Sequence, residues 1–139
     1  MTSDERRELM ETIEAAAAAA PAANGEAFAR LFDNHPLPML IYDYETLAIL
    51  NANASARRLS GYSHSEITCL SLHDLLPAED VPKLLELIAD VPHFDRSGPW
   101  RHRAKDGTVV QLLITSHAMT SGPYAARLLM AENPDEAEL

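Results

Sequence analysis

The 139 residues suit one domain of ordinary size, and a 47% hydrophobic, 23% charged make-up supports a packed core and excludes a disordered chain. A formal charge of −10, with basic residues grouped only at Arg57-Arg58 and at Arg101-His102-Arg103 with Lys105, speaks against nucleic-acid binding, which needs clustered Lys and Arg. No apolar run approaches the roughly 20 residues that cross a bilayer, the opening MTSDERRELM lacks the apolar stretch of a signal peptide, and Cys69 has no second cysteine to pair with. The expectation is a cytoplasmic protein with no membrane contact.

Residues Asp4 to Ala20 read as a helix, capped by Ser3 or Asp4, with acidic residues in its first turn and a run of alanines of high helix propensity. Pro21 ends it, and Ala22-Ala23-Asn24-Gly25 reads as a linker. Leu9, Ile13, Ala16 or Ala17, and Ala20 form a narrow apolar stripe that can dock on its own domain or on a second copy. Asn24 opens a short helix carrying Phe28, Leu31 and Phe32, stopped by His35-Pro36-Leu37-Pro38. Met39 to Tyr42 and Leu47 to Leu50 are strand-length apolar runs joined across Asp43-Tyr44-Glu45 as a hairpin. Asn53 caps one or two helical turns that Gly61 stops, and Ser63-His64-Ser65-Glu66 matches a capping box.

Pro77-Ala78-Glu79-Asp80 starts the best helix of the chain, which runs to about Asp90 with Val81, Leu84, Leu85 and Ile88 at helical spacing. Pro99 to Ala104 alternates, with Trp100 and His102 on one face and Arg101 and Arg103 on the other. Lys105-Asp106-Gly107 signals a hairpin into a long strand, Val109 to Met119, and Ser121-Gly122-Pro123 turns the chain into a last strand, Tyr124 to Ala131. Strands separated by a helical block predict an α+β fold with an antiparallel sheet.

The string Leu40-Ile41-Tyr42-Asp43, Glu45-Thr46-Leu47, Asn53-Ala54-Ser55-Ala56, Gly61-Tyr62-Ser63 and Glu66 resembles the N-terminal half of the PAS family. Leu75, Pro77, Glu79 and Asp80, then Trp100 to Arg103 with Lys105-Asp106-Gly107, extend the resemblance over roughly Ala27 to Ala131. It implies a five-stranded antiparallel sheet with helices on one face, a pocket between them, and a sensory or association role. The chain then divides into residues 1–24 (helix and linker), 25–132 (PAS domain) and 133–139 (acidic tail). Family members often dimerise through a helix before the first strand, which puts Leu9, Ile13 and Ala17 at a homodimer contact. Where many members begin a connecting helix, this chain has Asn133-Pro134-Asp135. Pro134 argues there against a stiff connector, hence for a free-standing module that acts on a partner in trans rather than a piece of a larger sensor.

Leu40, Tyr42, Leu84, Ile88, Trp100, His102, Leu112 and Ile114 are expected to line the internal pocket, with Tyr42 and His102 orienting a small ligand. No cofactor is expected. The flavin subgroup needs a reactive thiol where this chain aligns Leu72, and Cys69 reads as a buried small hydrophobe. The haem relatives carry an axial histidine where Leu84 falls, and His102 reads as a histidine hydrogen-bonded in a polar niche. No histidine pair and no second thiol offer zinc-ligand spacing. Phosphate-loop, nucleophile-elbow and metal-helix motifs are absent, and the pairing of His102 with Glu132 or Asp106 needs geometry. The functional expectation is a non-enzymatic bacterial signalling module that senses a small ligand or binds protein, regulating a sensor histidine kinase or other regulator. The alternative is a haem- or flavin-bound redox or gas sensor cut from a larger kinase or cyclase.

Overall fold

The computed structural model describes residues 1–18, 26–119 and 125–137. Helix α1 spans Ser3–Ala18, and residues 26–28 lead into a π-helical turn, Ala29–Asp33. Five strands follow the order β1 (Met39–Asp43), β2 (Ile49–Ala52), β3 (Phe94–Arg103), β4 (Val109–Met119) and β5 (Ala126–Glu132). Between β2 and β3 lie α2 (Ala54–Ser60), α3 (His64–Ile67), two 3₁₀ turns (Leu72–Leu75 and Ala78–Asp80) and α4 (Val81–Ile88). A helical turn, α5 (Pro134–Ala137), follows β5. The sheet order is β2-β1-β5-β4-β3, and every neighbouring pair is antiparallel.

Local chemistry sets the element ends much as the sequence predicts. The Asn53 side chain accepts from the Ala56 amide at the start of α2, and Gly61, left-handed at φ 79°, closes it. Ser63 and Glu66 form a reciprocal capping box on α3. The Asp43 carboxylate accepts from the Glu45 and Thr46 amides, which bends the chain. Leu47, at φ 66°, belongs to that turn and not to a strand, so β2 begins two residues later than its apolar run.

Three further expectations are corrected. The long helix begins as a 3₁₀ turn, which shifts its phase. Leu85 points outward, about half exposed, while Leu87 packs inward with Leu84 and Ile88. The third strand starts at Phe94, not Pro99, and passes Gly98-Pro99 through an irregularity between Ser97 and Trp100. Pro134 does not block a helix. It takes the first helical position, where no amide is needed, and the Asn133 side chain accepts from the Asp135 amide. The turn signals at Pro21 to Gly25 and Ser121 to Pro123, and the cap expected at Asn24, lie outside the described residues.

Each face of the sheet carries its own core. Met39 and Ile41 of β1 and Leu128 and Met130 of β5 face α1, where Met10, Ile13 and Phe32 complete a buried cluster with Leu9 at its edge. Each fully buried side chain of this kind contributes about 2 kcal/mol, so the α1 stripe is spent on its own sheet. The opposite face carries Leu40, Tyr42 and Leu129 beneath α2 to α4. At Gly98, with φ 135°, an added Cβ would stand 2.9 Å from the Leu112 carbonyl oxygen. Gly98→Ala is expected to lower stability by about 2 kcal/mol through strain and displaced strand pairing. An unchanged urea midpoint would refute that reading.

Candidate functional site

Period-two alternation turns one side chain of every pair on β1, β5, β4 and β3 toward the helices. A cavity of about 120 Å³ lies between that face and the helical layer. Leu40 and Tyr42 line it from β1, Leu112 and Ile114 from β4, Trp100 and His102 from β3, and Leu84 and Ile88 from α4. The structure thus brings together all of the residues expected around the pocket. Sequence reasoning missed Leu129 and Ala131 of β5, although Leu129 pairs with Leu40 and so shares its face. It also missed Ala56, Leu72 and Leu75 from the short helical turns.

Helix α4 closes the cavity and is tied down at both ends. The Arg101 guanidinium donates to both oxygens of Asp80, at 2.6 and 2.9 Å, and to Glu79 at 2.9 Å. At the far end the Tyr44 hydroxyl donates to the Ile88 carbonyl at 2.6 Å. Lys83 places its ammonium 4.6 Å from the centre of the Trp100 ring, and the Trp100 indole donates to Ser97 Oγ.

Most polar groups of the wall are committed to protein. Ser116 Oγ accepts from the Arg127 guanidinium at 2.6 Å, and Ser60 is engaged with Arg57 and Tyr62. Burial pushes the Tyr42 phenol up to about 12, so it stays protonated as a donor. Burial pushes His102 below its ordinary 6.5, partly opposed by a hydrogen bond to the Leu75 backbone. Its Nε2 is buried without a partner. The expected polar niche therefore leaves Nε2 unsatisfied.

The paper pairings of His102 fail on geometry. Glu132 lies under α1 in a buried ion pair with Arg6, and Asp106 accepts from the Thr108 amide in the β3–β4 turn. Cys69 is exposed, not buried, and takes no part in the cavity wall. Among the described residues no cluster of His, Cys, Asp and Glu could hold a metal ion.

Across the sheet, burial also lowers His117, against the opposing pull of Glu14, whose carboxylate lies 3.7 Å away. His102 and His117 then bind protons more readily unfolded than folded. Stability conferred by their neutral forms is present above pH 6.5 and is lost as pH falls from that unfolded value through the lower folded ones. Urea midpoints at pH 7.5 and 5.5 should show the acid loss, and His102→Phe should reduce it. A midpoint that rises on acidification would contradict both assignments.

The sequence model described as the PAS fold matches residues 26–131. The chain belongs to the PAS family. A domain of the sensory box sensor histidine kinase/response regulator from Geobacter sulfurreducens superposes with TM-score 0.67 at 17% identity, covering 83% of this chain and 98% of that one. Drosophila melanogaster Cycle PAS-B with bound ethylene glycol gives 0.59 at 20%, covering 68% and 97%. The LOV protein of Rhodobacter sphaeroides gives 0.63 at 15%, covering 92% and 68%. At these identities the likeness is one of fold. No curated protein matches the chain. PAS domains are signal-sensing modules, found in sensor histidine kinases among other proteins.

The PAS cavity of this chain does not fit the larger cofactors. Its about 120 Å³ is below the roughly 150 Å³ of an apolar cavity that takes one benzene, so neither a tetrapyrrole nor an isoalloxazine is accommodated in this arrangement. Leu72 stands in the wall, and no thiol lines it. Leu84 lines the cavity from α4 and offers no ligand atom to a haem iron.

Proposed function

We propose that this PAS domain is a non-enzymatic bacterial signalling module whose cavity takes a small ligand and whose state is read by a signalling partner, a sensor histidine kinase first among candidates. One observation carries the reading: β5 separates the cavity from α1. Leu129 and Ala131 look into the cavity, while Leu128 and Met130 of the same strand are buried beneath α1. A ligand that shifts Leu129 must press on the helix seat, and occupancy then biases α1 between docked and released positions. The PAS fold shared with a sensor histidine kinase domain supports that class of partner.

A homodimer through Leu9, Ile13 and Ala17 enters the same scheme. Ile13 is fully buried and Leu9 packs at the edge of the same cluster, so they reach a second copy only when α1 leaves its own sheet. The Ala17 side chain lies outside the described residues. The face left outward is charged, with Asp4, Glu8 and Glu11. In this reading docking and dimerisation compete for one stripe, and the sheet decides between them.

Xenon, an apolar probe smaller than benzene, tests the coupling by amide shifts in NMR. Shifts at Leu129 and Ala131 together with Met10 and Ile13 support it. Shifts confined to the cavity side would break the link to α1. An absorption spectrum of purified protein tests the chromophore alternative, and a strong band beyond the protein absorption would favour haem or flavin.

A further inference from the structure

Resting on the reading of the cavity as a ligand site, we infer that its ligand is a small organic amine. The ammonium pairs with the Asp95 carboxylate, and the apolar body lies among the leucine and isoleucine side chains of the wall. Asp95 is half-buried at the start of β3 and belongs to that wall. It stands opposite Ser116, which stands opposite Leu129, so the three share the face turned to the helices. Its carboxylate makes no hydrogen bond and no ion pair among the described residues. Arg127 feels the Asp95 charge, but that guanidinium is committed to Ser116 Oγ and to the Pro92 and His93 carbonyls.

The other ionisable groups of the wall leave this negative charge uncompensated. Arg101 is held by Asp80 and Glu79, two carboxylates against one guanidinium. Burial pushes His102 toward its neutral form. An anion would therefore enter against Asp95 with no free cation to meet it. A purely apolar ligand would strip water from the carboxylate and return nothing. An ammonium returns a charge-assisted hydrogen bond, about twice as strong as one from a neutral donor. Tyr42 is the remaining uncommitted polar group: its buried hydroxyl has no protein partner among the described residues, and it is not sealed off as His102 Nε2 is. A phenol both donates and accepts, so it takes a second polar atom of either kind and leaves the choice of charge to Asp95. A cavity of about 120 Å³ limits the apolar body to less than a benzene ring.

Isopropylamine, 2-propanol and isobutyrate share an isopropyl body and differ in the head: a cation, a neutral donor and an anion at neutral pH. Each is titrated into the ¹⁵N-labelled full chain and read at the amides of Ile114 and Leu129. Affinity should fall in the order amine, alcohol, carboxylate, with the amine about ten-fold tighter than the alcohol. Asp95→Asn removes the charge and keeps the shape, so it should bring amine and alcohol within about two-fold of each other. Raising NaCl from about 0.1 to 1 M should weaken the amine and leave the alcohol nearly unchanged, a readout in wild type that serves even if the variant fails to fold. Equal binding of amine and alcohol, or an amine preference that survives both Asp95→Asn and high salt, would overturn the inference and leave the cavity site standing. So would cavity shifts with xenon and with none of the three. Failure of xenon as well would overturn the site itself, and the inference with it.

Discussion

Replacing Asn53 by alanine should lower stability by about 3–4 kcal/mol in urea denaturation. Its fully buried side chain makes four hydrogen bonds, each to backbone. Oδ1 accepts from the Met39 and Ala56 amides, and Nδ2 donates to the Phe32 and Leu37 carbonyls, all at 2.9 Å. One residue therefore joins the π-helical turn, the start of β1 and the start of α2. Truncation orphans these groups together, beyond the usual cap loss of about 1 kcal/mol. Asn53→Asp separates the two halves of the role. It keeps both acceptor bonds but turns an oxygen toward two carbonyls, so it should also destabilise, and less so as acid protonates the new carboxyl. A loss below about 1 kcal/mol for alanine would mean that water replaces the side chain. Because α2 supplies Ala56, Leu59 and Ser60 to the cavity wall, the alanine variant should also weaken xenon binding.

Asn53 was legible in sequence because a cap depends on residues within three positions of it. Its bonds to Phe32 and Leu37 were not, since they cross chain segments that local patterning treats separately. The cavity followed the same division. Alternation along a strand decides a face without knowledge of the partner, and so placed Leu40, Tyr42, Trp100 and His102 correctly on the wall. The helical contribution read less well, because the 3₁₀ turn at Ala78–Asp80 rotates α4 and exchanges Leu85 for Leu87. Gly98-Pro99 looked like a break because only pairing with β4 carries a strand through it. Pro134 is ambiguous by chemistry: the same missing amide that stops a helix is harmless at its first position. For α1, an apolar stripe announces that something covers it, and the choice between own sheet and second copy lies in tertiary contacts.

Arg6→Ala should cost about 3–5 kcal/mol, because it leaves the Glu132 carboxylate buried without its principal partner. The guanidinium of Arg6 meets both oxygens of Glu132, at 2.6 and 3.1 Å, with both side chains over nine-tenths buried. Such a pair adds little net stability over apolar residues of similar size, so the double variant Arg6→Met with Glu132→Leu should recover most of the loss. That contrast isolates the unpaired charge from simple loss of packing. The location gives the pair a consequence beyond stability. Arg6 stands on α1, and Glu132 is the last residue of β5, next to the Asn133 cap that begins α5. Breaking the pair should loosen both ends of the domain together, seen as faster amide exchange in α1 and at the start of α5. The sheet centre at Leu128 should exchange more slowly than either. If Arg6→Ala loses less than 1 kcal/mol, or if α1 exchange rises while Asp135 stays unchanged, the pair does not couple the two termini. A coupled response would instead locate the output of the cavity at the Arg6–Glu132 pair, where α1 is joined to the end of β5 on the far side of the sheet from the ligand.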